Sequence, residues 1–160
     1  MLIADNEGPL RSEDNAPDIR IISARDTWPV RHAVLRIGQP LSSCDYDIDN
    51  MPGSFHLGVY QDAELVCIGS FYPDAHPELT GDKQFRLRGM ATLSSRQGQG
   101  FGMQLLQRAR ELLLIQGSDL LWCNARLSAA GYYLKFGMQR HGPEFEIEGI
   151  GPHWLMYRFL

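Results

Sequence analysis

A glycine-rich stretch in the middle of the chain has the residue types and spacing of an anion-binding site. This glycine loop runs Gln97-Gly98-Gln99-Gly100-Phe101-Gly102 and leads directly into a segment of helical periodicity. The first N–H groups of a helix have no intrahelical acceptor, and the helix dipole places partial positive charge beside them. Glycines at these positions let a phosphate approach the backbone. The predicted chemistry is therefore the binding of a phosphorylated ligand.

The charge pattern around the loop also favours an anionic ligand. The chain has a net charge of −4, yet no Asp or Glu occurs between residues 83 and 110. The same window holds six basic residues, namely Lys83, Arg86, Arg88, Arg96, Arg108 and Arg110. A basic region in an acidic protein attracts anions. On this evidence alone, a glycine-rich turn flanked by solvated arginines remains the alternative.

Two familiar phosphate loops do not fit. A P-loop ends in Gly-Lys-Ser/Thr, which this sequence lacks. A dinucleotide-binding loop has the spacing G-x-G-x-x-G, followed after about 20 residues by an acid that ends the next strand. The spacing here is G-x-G-x-G, and Asp119 precedes the next strand-like run.

The elements that must position the loop are predicted from apolar periodicity and turn residues. Helices are expected from about 26 to 36, 100 to 117 and 128 to 136, with Asp26 or Thr27 capping the first and Ser128 the third. The order β-α-β-β-β-α-β-α-β-β predicts a mixed α/β (α+β) sheet. Residues 1–17 are expected to form a flexible tail, and 18–160 a single domain. Strands are expected over 19–22, 55–60, 65–72, 84–93, 120–125, 138–147 and 153–160.

Composition narrows the class of protein. A chain of 160 residues, 44% hydrophobic and 21% charged, is typical of one globular domain. Cys44, Cys67 and Cys123 show no CxxC spacing, which favours a reducing, cytoplasmic setting. No apolar run is long enough to predict a membrane span. Mild acidity argues against nucleic acid as the main ligand. Both a monomer and a homodimer are compatible with the sequence.

The glycine loop resembles motif A of the GNAT N-acetyltransferase superfamily, written Q/R-x-x-G-x-G/A. Gln97, Gly100 and Gly102 fill its three defined positions. The predicted element order also matches the GNAT fold. The resemblance implies two central parallel strands, here 84–93 and 120–125, that splay apart and admit acetyl-CoA between them. Gly89, just before the splay, is typical of either a bulge or a close backbone approach.

The resemblance also implies which residues hold the coenzyme. Met90, Ala91 and Thr92 would line the pantetheine arm, and one of their N–H groups would polarise the thioester carbonyl. The glycine loop would hold the pyrophosphate. Asn124 and Arg126 leave the second central strand and are further candidates for coenzyme contact. Arg126 could contact a phosphate of CoA or only cover the sheet edge.

A tyrosine is the candidate general acid. The segment Tyr133-Leu-Lys-Phe-Gly-Met resembles the family segment Y-x-x-x-G-F, in which the tyrosine lies near the coenzyme sulfur. A phenol is protonated at neutral pH and can donate a proton to the leaving thiolate. The departure from the pattern, Met138 for Phe, affects packing more than chemistry. A purely packing role for Tyr133 is the alternative, and Tyr132 is expected to point elsewhere.

The other catalytic groups are less defined. A general base is not determined, although His153, His56, Glu144 and Glu146 are candidates, and imidazole suits proton transfer near neutral pH. Cys123 is expected to be a buried strand residue and not a nucleophile. No His, Cys, Asp or Glu cluster has the spacing of a metal site, so no metal is predicted.

The acceptor cannot be identified from the sequence. The segment Asp45-Tyr-Asp-Ile-Asp49-Asn lacks the Gly and Glu of a calcium loop. It is either a solvated acidic loop or an acidic rim that attracts a cationic amine. By family resemblance, the acceptor pocket would be built from Trp28, His32, Tyr46, Asp49, Phe145, His153 and Trp154.

These observations lead to two hypotheses. The first is an N-acetyltransferase that moves an acetyl group from acetyl-CoA to a primary amine of a small molecule or peptide, by direct attack in a ternary complex. The second is a non-catalytic acyl-CoA-binding or regulatory module on the same fold. Tyr133 favours the first, and the undetermined base leaves the second open.

Overall fold

The computed structural model describes residues 16–160, so the tail predicted over 1–17 lies almost wholly outside the described part. The predicted order β-α-β-β-β-α-β-α-β-β is confirmed there. The first helical segment, α1, joins a 3-10 turn (Arg25–Thr27), an α-helical turn (Trp28–Val30) and a π-helical turn (Arg31–Leu35). The other helices are α2 (Phe101–Ile115) and α3 (Leu127–Lys135). The strands are β1 (Asp18–Ile22), β2 (Phe55–Gln61), β3 (Glu64–Pro73), β4 (Gln84–Thr92), β5 (Leu120–Arg126), β6 (Gln139–Ile147) and β7 (Gly151–Phe159).

The strands form one mixed sheet in the order β1-β2-β3-β4-β5-β7-β6. β4 and β5 are parallel, and the other neighbouring pairs are antiparallel. β4 pairs with β5 at only three positions, from Gln84–Leu120 to Arg86–Trp122, after which the two strands part. The predicted splay is therefore confirmed, and it leaves the facing backbone edges of both strands free of sheet hydrogen bonds.

A bulge in β4 lies just beyond the point where the strands part. Ser70 of β3 pairs with Arg88 and Ile68 pairs with Ala91, so two residues of β4 oppose the single residue Gly69. One of these two, Gly89, has a φ of +60°. This left-handed conformation favours glycine and is typical of one bulge type. The bulge predicted at Gly89 is thus present.

Helix α2 carries the glycine loop at its start and packs its apolar face on the sheet. At its end, Gly117 has a φ of +77° and the N–H of Ser118 donates to the carbonyl of Leu113 at 3.0 Å. Such a bond across a left-handed glycine terminates a helix, as predicted. The buried face of α2 consists of Phe101, Gly102, Leu105, Leu106, Ala109 and Leu113.

The predicted helix caps are wrong at both sites. At the start of α1, the hydroxyl of Ser23 accepts the N–H of Asp26 at 3.1 Å, while the Asp26 carboxylate accepts the N–H of Ser23 at 3.3 Å. Ser23 therefore caps the helix and Asp26 completes a reciprocal box. Ser128 makes no cap hydrogen bond, because α3 begins directly after β5 with Arg126 at the cap position.

A buried ion pair ties α1 to the following loop and to β3. The guanidinium of Arg31, fully buried, donates to the two carboxylate oxygens of Asp49 at 2.7 and 3.0 Å. It also donates to the carbonyl of Cys44 at 2.8 Å and the hydroxyl of Ser70 at 2.9 Å. The hydroxyl of Tyr72 donates to Asp49 at 2.5 Å. The loop that borders the cleft described below is held by these contacts.

The ion pair keeps Asp49 charged. Burial by itself favours the neutral acid, but the hydrogen bonds from Arg31 and Tyr72 and the charge of Arg31 outweigh it, so the pKa of Asp49 lies below its ordinary value. This contribution to stability is therefore present above an unfolded pKa of about 4 and is lost as the pH falls through the folded pKa.

A close contact joins the start of α2 to α3. A Cβ at Gly102 would overlap the hydroxyl of Tyr132 and lie 3.0 Å from the Met90 Cε. The Tyr132 hydroxyl is buried and has no hydrogen-bond partner within residues 16–160. Glycine at position 102 therefore leaves the space that this hydroxyl occupies.

Replacing Arg31 with Met should lower the free energy of unfolding by about 3–5 kcal/mol, because it leaves the charge of Asp49 buried without its partner. The measurement is urea unfolding at pH 7. Adding Asp49→Asn should recover part of the loss, since no unpaired charge then remains. Arg20→Gln breaks the exposed pair with Asp18 and should cost less than about 1 kcal/mol. Equal losses for Arg31→Met and Arg20→Gln would contradict this account.

Gly102→Ala should destabilise the protein by about 1–3 kcal/mol, because the added methyl group overlaps Tyr132. In a Tyr132→Phe background the cost should fall by at least half, as thermal unfolding would show. Gly131→Ala is the matched control in α3, where nothing lies within 4 Å of an added Cβ. That change should raise stability by about 0.5–1 kcal/mol. If Gly102→Ala destabilises the protein equally with and without Tyr132→Phe, the Tyr132 hydroxyl is not the cause of the loss.

Candidate active site

A cleft of about 670 Å3 opens where β4 and β5 part. We call this space the cleft throughout. Its walls are the second half of β4, the glycine loop, the end of β5 and the start of α3. The end of α1, the loop after it and the β6–β7 connection close its far side. The predicted coenzyme residues all line it, namely Met90, Ala91, Thr92, Gln97, Gly98, Gln99, Gly100, Phe101, Gly102, Asn124 and Arg126.

The glycine loop presents free backbone donors to the cleft. Within the described chain, no protein acceptor receives the N–H groups of residues 98–103, and the first helical bond of α2 is donated by Gln104 to the Gly100 carbonyl. Gly98 and Gly100 have φ values of +79° and +84°, and no atom lies within 4 Å of a Cβ built at either. The loop therefore has both the donors and the space that a diphosphate requires.

Two side chains hold the loop in place. The amide of Gln97 donates to the carbonyl of Thr92 at 3.2 Å, which ties the loop to the end of β4. Arg96 donates to Gln61 at 3.1 Å and to Glu64 at 3.2 Å, at the β2–β3 turn. Gln97 thus has a structural contact that explains its place in the motif, and the charge of Arg96 is already paired.

Tyr133 lies in the cleft wall and is buried. Burial raises its pKa well above the ordinary value, so the phenol stays protonated at neutral pH. Tyr132 packs against it edge-on, with ring centroids 5.4 Å apart, and also lines the cleft. The expectation that Tyr132 points elsewhere is wrong, because the short helix α3 lies along the cleft and presents both neighbours to it.

Cys123 lines the cleft but is not an activated thiol. Burial raises its pKa to about 12, so the thiolate is scarcely populated at neutral pH. Its sulfur lies 3.8 Å from that of Met138. The packing role expected for this cysteine agrees with these contacts.

Of the candidate bases, His153 is the one at the cleft. Its buried ring has Nδ1 2.8 Å from the carbonyl oxygen of Gly151. A carbonyl can only accept, so Nδ1 carries the proton and Nε2 of the neutral ring is left as the acceptor. Glu144 and Glu146 are exposed and lie outside the cleft wall. His56 lies in the buried network, with Nδ1 2.7 Å from the Ser70 hydroxyl.

The acidic rim expected in the loop after α1 is wrong for Asp49. Asp49 is buried against Arg31, and neither Asp45 nor Asp47 lines the cleft. Within the described residues, the cleft wall contains no Asp or Glu but holds five arginines, at positions 36, 86, 88, 96 and 126. Arg86 and Arg96 are paired with Asp74 and Glu64, which leaves Arg36, Arg88 and Arg126 as sources of positive potential in the cleft.

The sequence identified only part of the acceptor side. Of the seven residues expected there, only Tyr46 and His153 line the cleft. The wall also contains residues that the sequence did not single out, namely Val34 and Leu35 of α1, Arg36 directly after it, Ile147 at the end of β6 and Ile150 in the β6–β7 connection. Apolar periodicity shows which residues share a face, but it does not show which cavity that face meets.

No group of three or more His, Cys, Asp or Glu side chains among the described residues could hold a metal ion. In the same part of the chain, no helix has the length and apolar character needed to cross a membrane.

Comparison with known proteins places this architecture in a family. The profile of the family described as "Acetyltransferase (GNAT) domain" matches residues 43–156. The uncharacterised N-acetyltransferase YitI of Bacillus subtilis (strain 168) is 43% identical over 143 residues, covering 89% of this chain and 96% of that protein.

Solved structures show the same fold at low sequence identity. An N-acetyltransferase candidate from Lactobacillus plantarum superposes with a TM-score of 0.75 at 23% identity, over 91% of this chain and 99% of that one. An aminoglycoside 6'-N-acetyltransferase complexed with coenzyme A superposes with a TM-score of 0.70 at 14% identity, over 89% and 96%. Because the family profile matches most of the chain and a relative is 43% identical over nearly its full length, the chain belongs to the GNAT acetyltransferase family and is an acetyltransferase.

Proposed function

We propose that residues 18–160 act as one domain that transfers an acetyl group from acetyl-CoA to a primary amine of a small molecule or peptide. The amine attacks the thioester directly while both substrates are bound. The observation that carries the proposal is the row of unpaired N–H groups over residues 98–103, at the mouth of the gap between β4 and β5.

The donor would bind along this gap. The N–H groups of the glycine loop supply hydrogen bonds to the pyrophosphate, supported by the dipole of the 15-residue helix α2. The free edge of β4 at Met90, Ala91 and Thr92 supplies backbone partners for the pantetheine amides, which then substitute for a missing strand. Asn124 and Arg126 stand on the opposite edge of the gap.

The chemistry requires three groups. A backbone N–H beside the Gly89 bulge polarises the carbonyl oxygen as negative charge develops there. The neutral amine forms the new C–N bond, the C–S bond breaks, and Tyr133 donates its proton to the departing thiolate. His153 is the side chain best placed to take the proton from the amine, because its Nε2 is free to accept.

Direct attack is favoured over an acetyl-cysteine intermediate. Cys123 is the cysteine that lines the cleft, and its pKa of about 12 keeps it in the unreactive thiol form. We also propose a reducing, cytoplasmic location, which the free, buried state of Cys44, Cys67 and Cys123 supports.

Tyr133→Phe should lower kcat by about 100-fold or more with little change in acetyl-CoA affinity, because it removes the proton donor and keeps the ring. Steady-state assays of thiol release measure kcat, and calorimetric titration with CoA measures the coenzyme affinity. Tyr157→Phe, in β7 outside the cleft wall, is the matched control and should retain its kcat. A Tyr133→Phe enzyme with full kcat would assign the proton transfer to another group.

The transfer itself is tested by release of free thiol from acetyl-CoA with a panel of primary amines. We expect thiol release that depends on the amine, together with an acetylated product of matching amount detected by mass spectrometry. If acetyl-CoA binds but no amine or peptide provokes thiol release, the protein is an acyl-CoA-binding module instead.

A further inference from the structure

Two arginines and a tyrosine form one wall of the cleft on its acceptor side. Arg36 directly follows α1, Arg88 precedes the Gly89 bulge, and Tyr46 lies in the loop after α1. The guanidinium carbons of Arg36 and Arg88 lie 5.4 and 5.0 Å from the centroid of the Tyr46 ring. These distances are within the range of cation–π contact, which orients a guanidinium and leaves N–H donors free for a ligand.

Neither arginine has a charged partner in the described chain. No carboxylate lies within ion-pair distance of Arg36 or Arg88. The Nε of Arg36 is also buried without a hydrogen-bond partner. By contrast, Arg31, which stacks on the same tyrosine ring at 4.0 Å, is neutralised by Asp49. A partly buried cation without a partner is costly, so an anionic ligand would stabilise this wall.

The phosphates of the coenzyme do not account for these two charges. Arg88 lies on the near side of the bulge, and Thr92, the last residue of β4, is four residues further along the chain, with the glycine loop after it. At about 3.3 Å per residue, this separates Arg88 from the end of β4 by roughly 13 Å. The anion that pairs with Arg36 and Arg88 therefore belongs to the other substrate.

We propose that the acceptor is a small amine that carries a carboxylate, held by Arg36 and Arg88 beside Tyr46. The inference rests on the proposed function and narrows its substrate class to amino-acid-like amines. A guanidinium pairs with a carboxylate through two parallel N–H donors, which fixes the orientation of the acceptor. The carboxylate takes no part in the reaction, which forms the amide C–N bond and releases CoA as the thiol.

The charge of the cleft agrees with this substrate class. No acidic side chain of the described residues lines the cleft, so a polycationic acceptor would find no carboxylate in its wall to pair with. The positive potential also disfavours the protonated form of a bound amine. An amine whose own carboxylate pairs with the arginines can enter this field and still present a neutral nitrogen for attack.

The test compares acceptors that differ only in the carboxylate. Phenylalanine is paired with phenethylamine and lysine with cadaverine, and kcat/KM for thiol release is measured for each. We expect the carboxylate-bearing member to be preferred by about tenfold or more, as hydrogen bonds to a charged group imply. Phosphoethanolamine is included to distinguish a carboxylate from a phosphate.

Substitutions assign the preference to the two arginines. Arg36→Gln and Arg88→Gln should each raise KM for the carboxylate-bearing amines by about 10-fold to 100-fold, with KM for acetyl-CoA unchanged. Their effect on the decarboxylated amines should be small. Arg20→Gln is the matched control, because Arg20 lies 4.5 Å over the ring of Tyr60 outside the cleft wall. It should leave the preference intact.

The outcomes separate this inference from the proposed function. Equal or better use of the decarboxylated amines, or preference for phosphoethanolamine, would overturn the carboxylate assignment and leave the transferase intact. If none of the amines provokes thiol release, that result would instead count against the proposed function. In that case calorimetry with phenylalanine in the presence of CoA decides the inference: binding lost in Arg88→Gln supports it, and no binding to the unsubstituted protein overturns it.

Discussion

Partway along its length, β4 loses its backbone hydrogen bonds to β5, and the rest of the site depends on that loss. β4 is bonded to β5 only as far as Arg86, while its bonds to β3 continue past the Gly89 bulge to Thr92. A sheet that opens in this way exposes polar groups that must be satisfied by another molecule. The cleft is thus a consequence of strand pairing, and the free donors of the glycine loop stand at its mouth.

The arginines around Tyr46 differ in whether a carboxylate neutralises their charge. Arg31 is fully buried, and its guanidinium is occupied by Asp49, Ser70 and the carbonyl of Cys44. That network holds the loop carrying Tyr46 against β3. Arg36 and Arg88 meet the same tyrosine ring from the cleft, without a carboxylate partner among residues 16–160. One aromatic ring therefore lies between a neutralised charge that stabilises the fold and two charges that no carboxylate of this part of the chain neutralises.

Much of the architecture could be predicted because it is encoded locally. The bulge at Gly89 and the helix end at Gly117 could be predicted, since glycine in a left-handed conformation is a property of a short segment. The splayed pair was predicted only through the family resemblance. The helix caps were not predicted correctly. Ser23 caps α1 in place of Asp26 or Thr27, and Ser128 does not cap α3, because several polar residues lie near each helix start and only the backbone path decides between them. The coenzyme residues lie together on the cleft, although their contacts remain predictions.

The acceptor side was the least predictable part. Three aspartates in one loop suggested an acidic rim, yet Asp49 turned inward because its partner Arg31, 18 residues earlier in the chain, is buried beside it. By itself, the sequence determined the element order, the position of the glycine loop and the family resemblance, because these depend on residues close together in the chain. Only the tertiary structure decided which charges are neutralised and which face the cleft, because that depends on contacts between segments far apart in sequence, whose pairing no local pattern records.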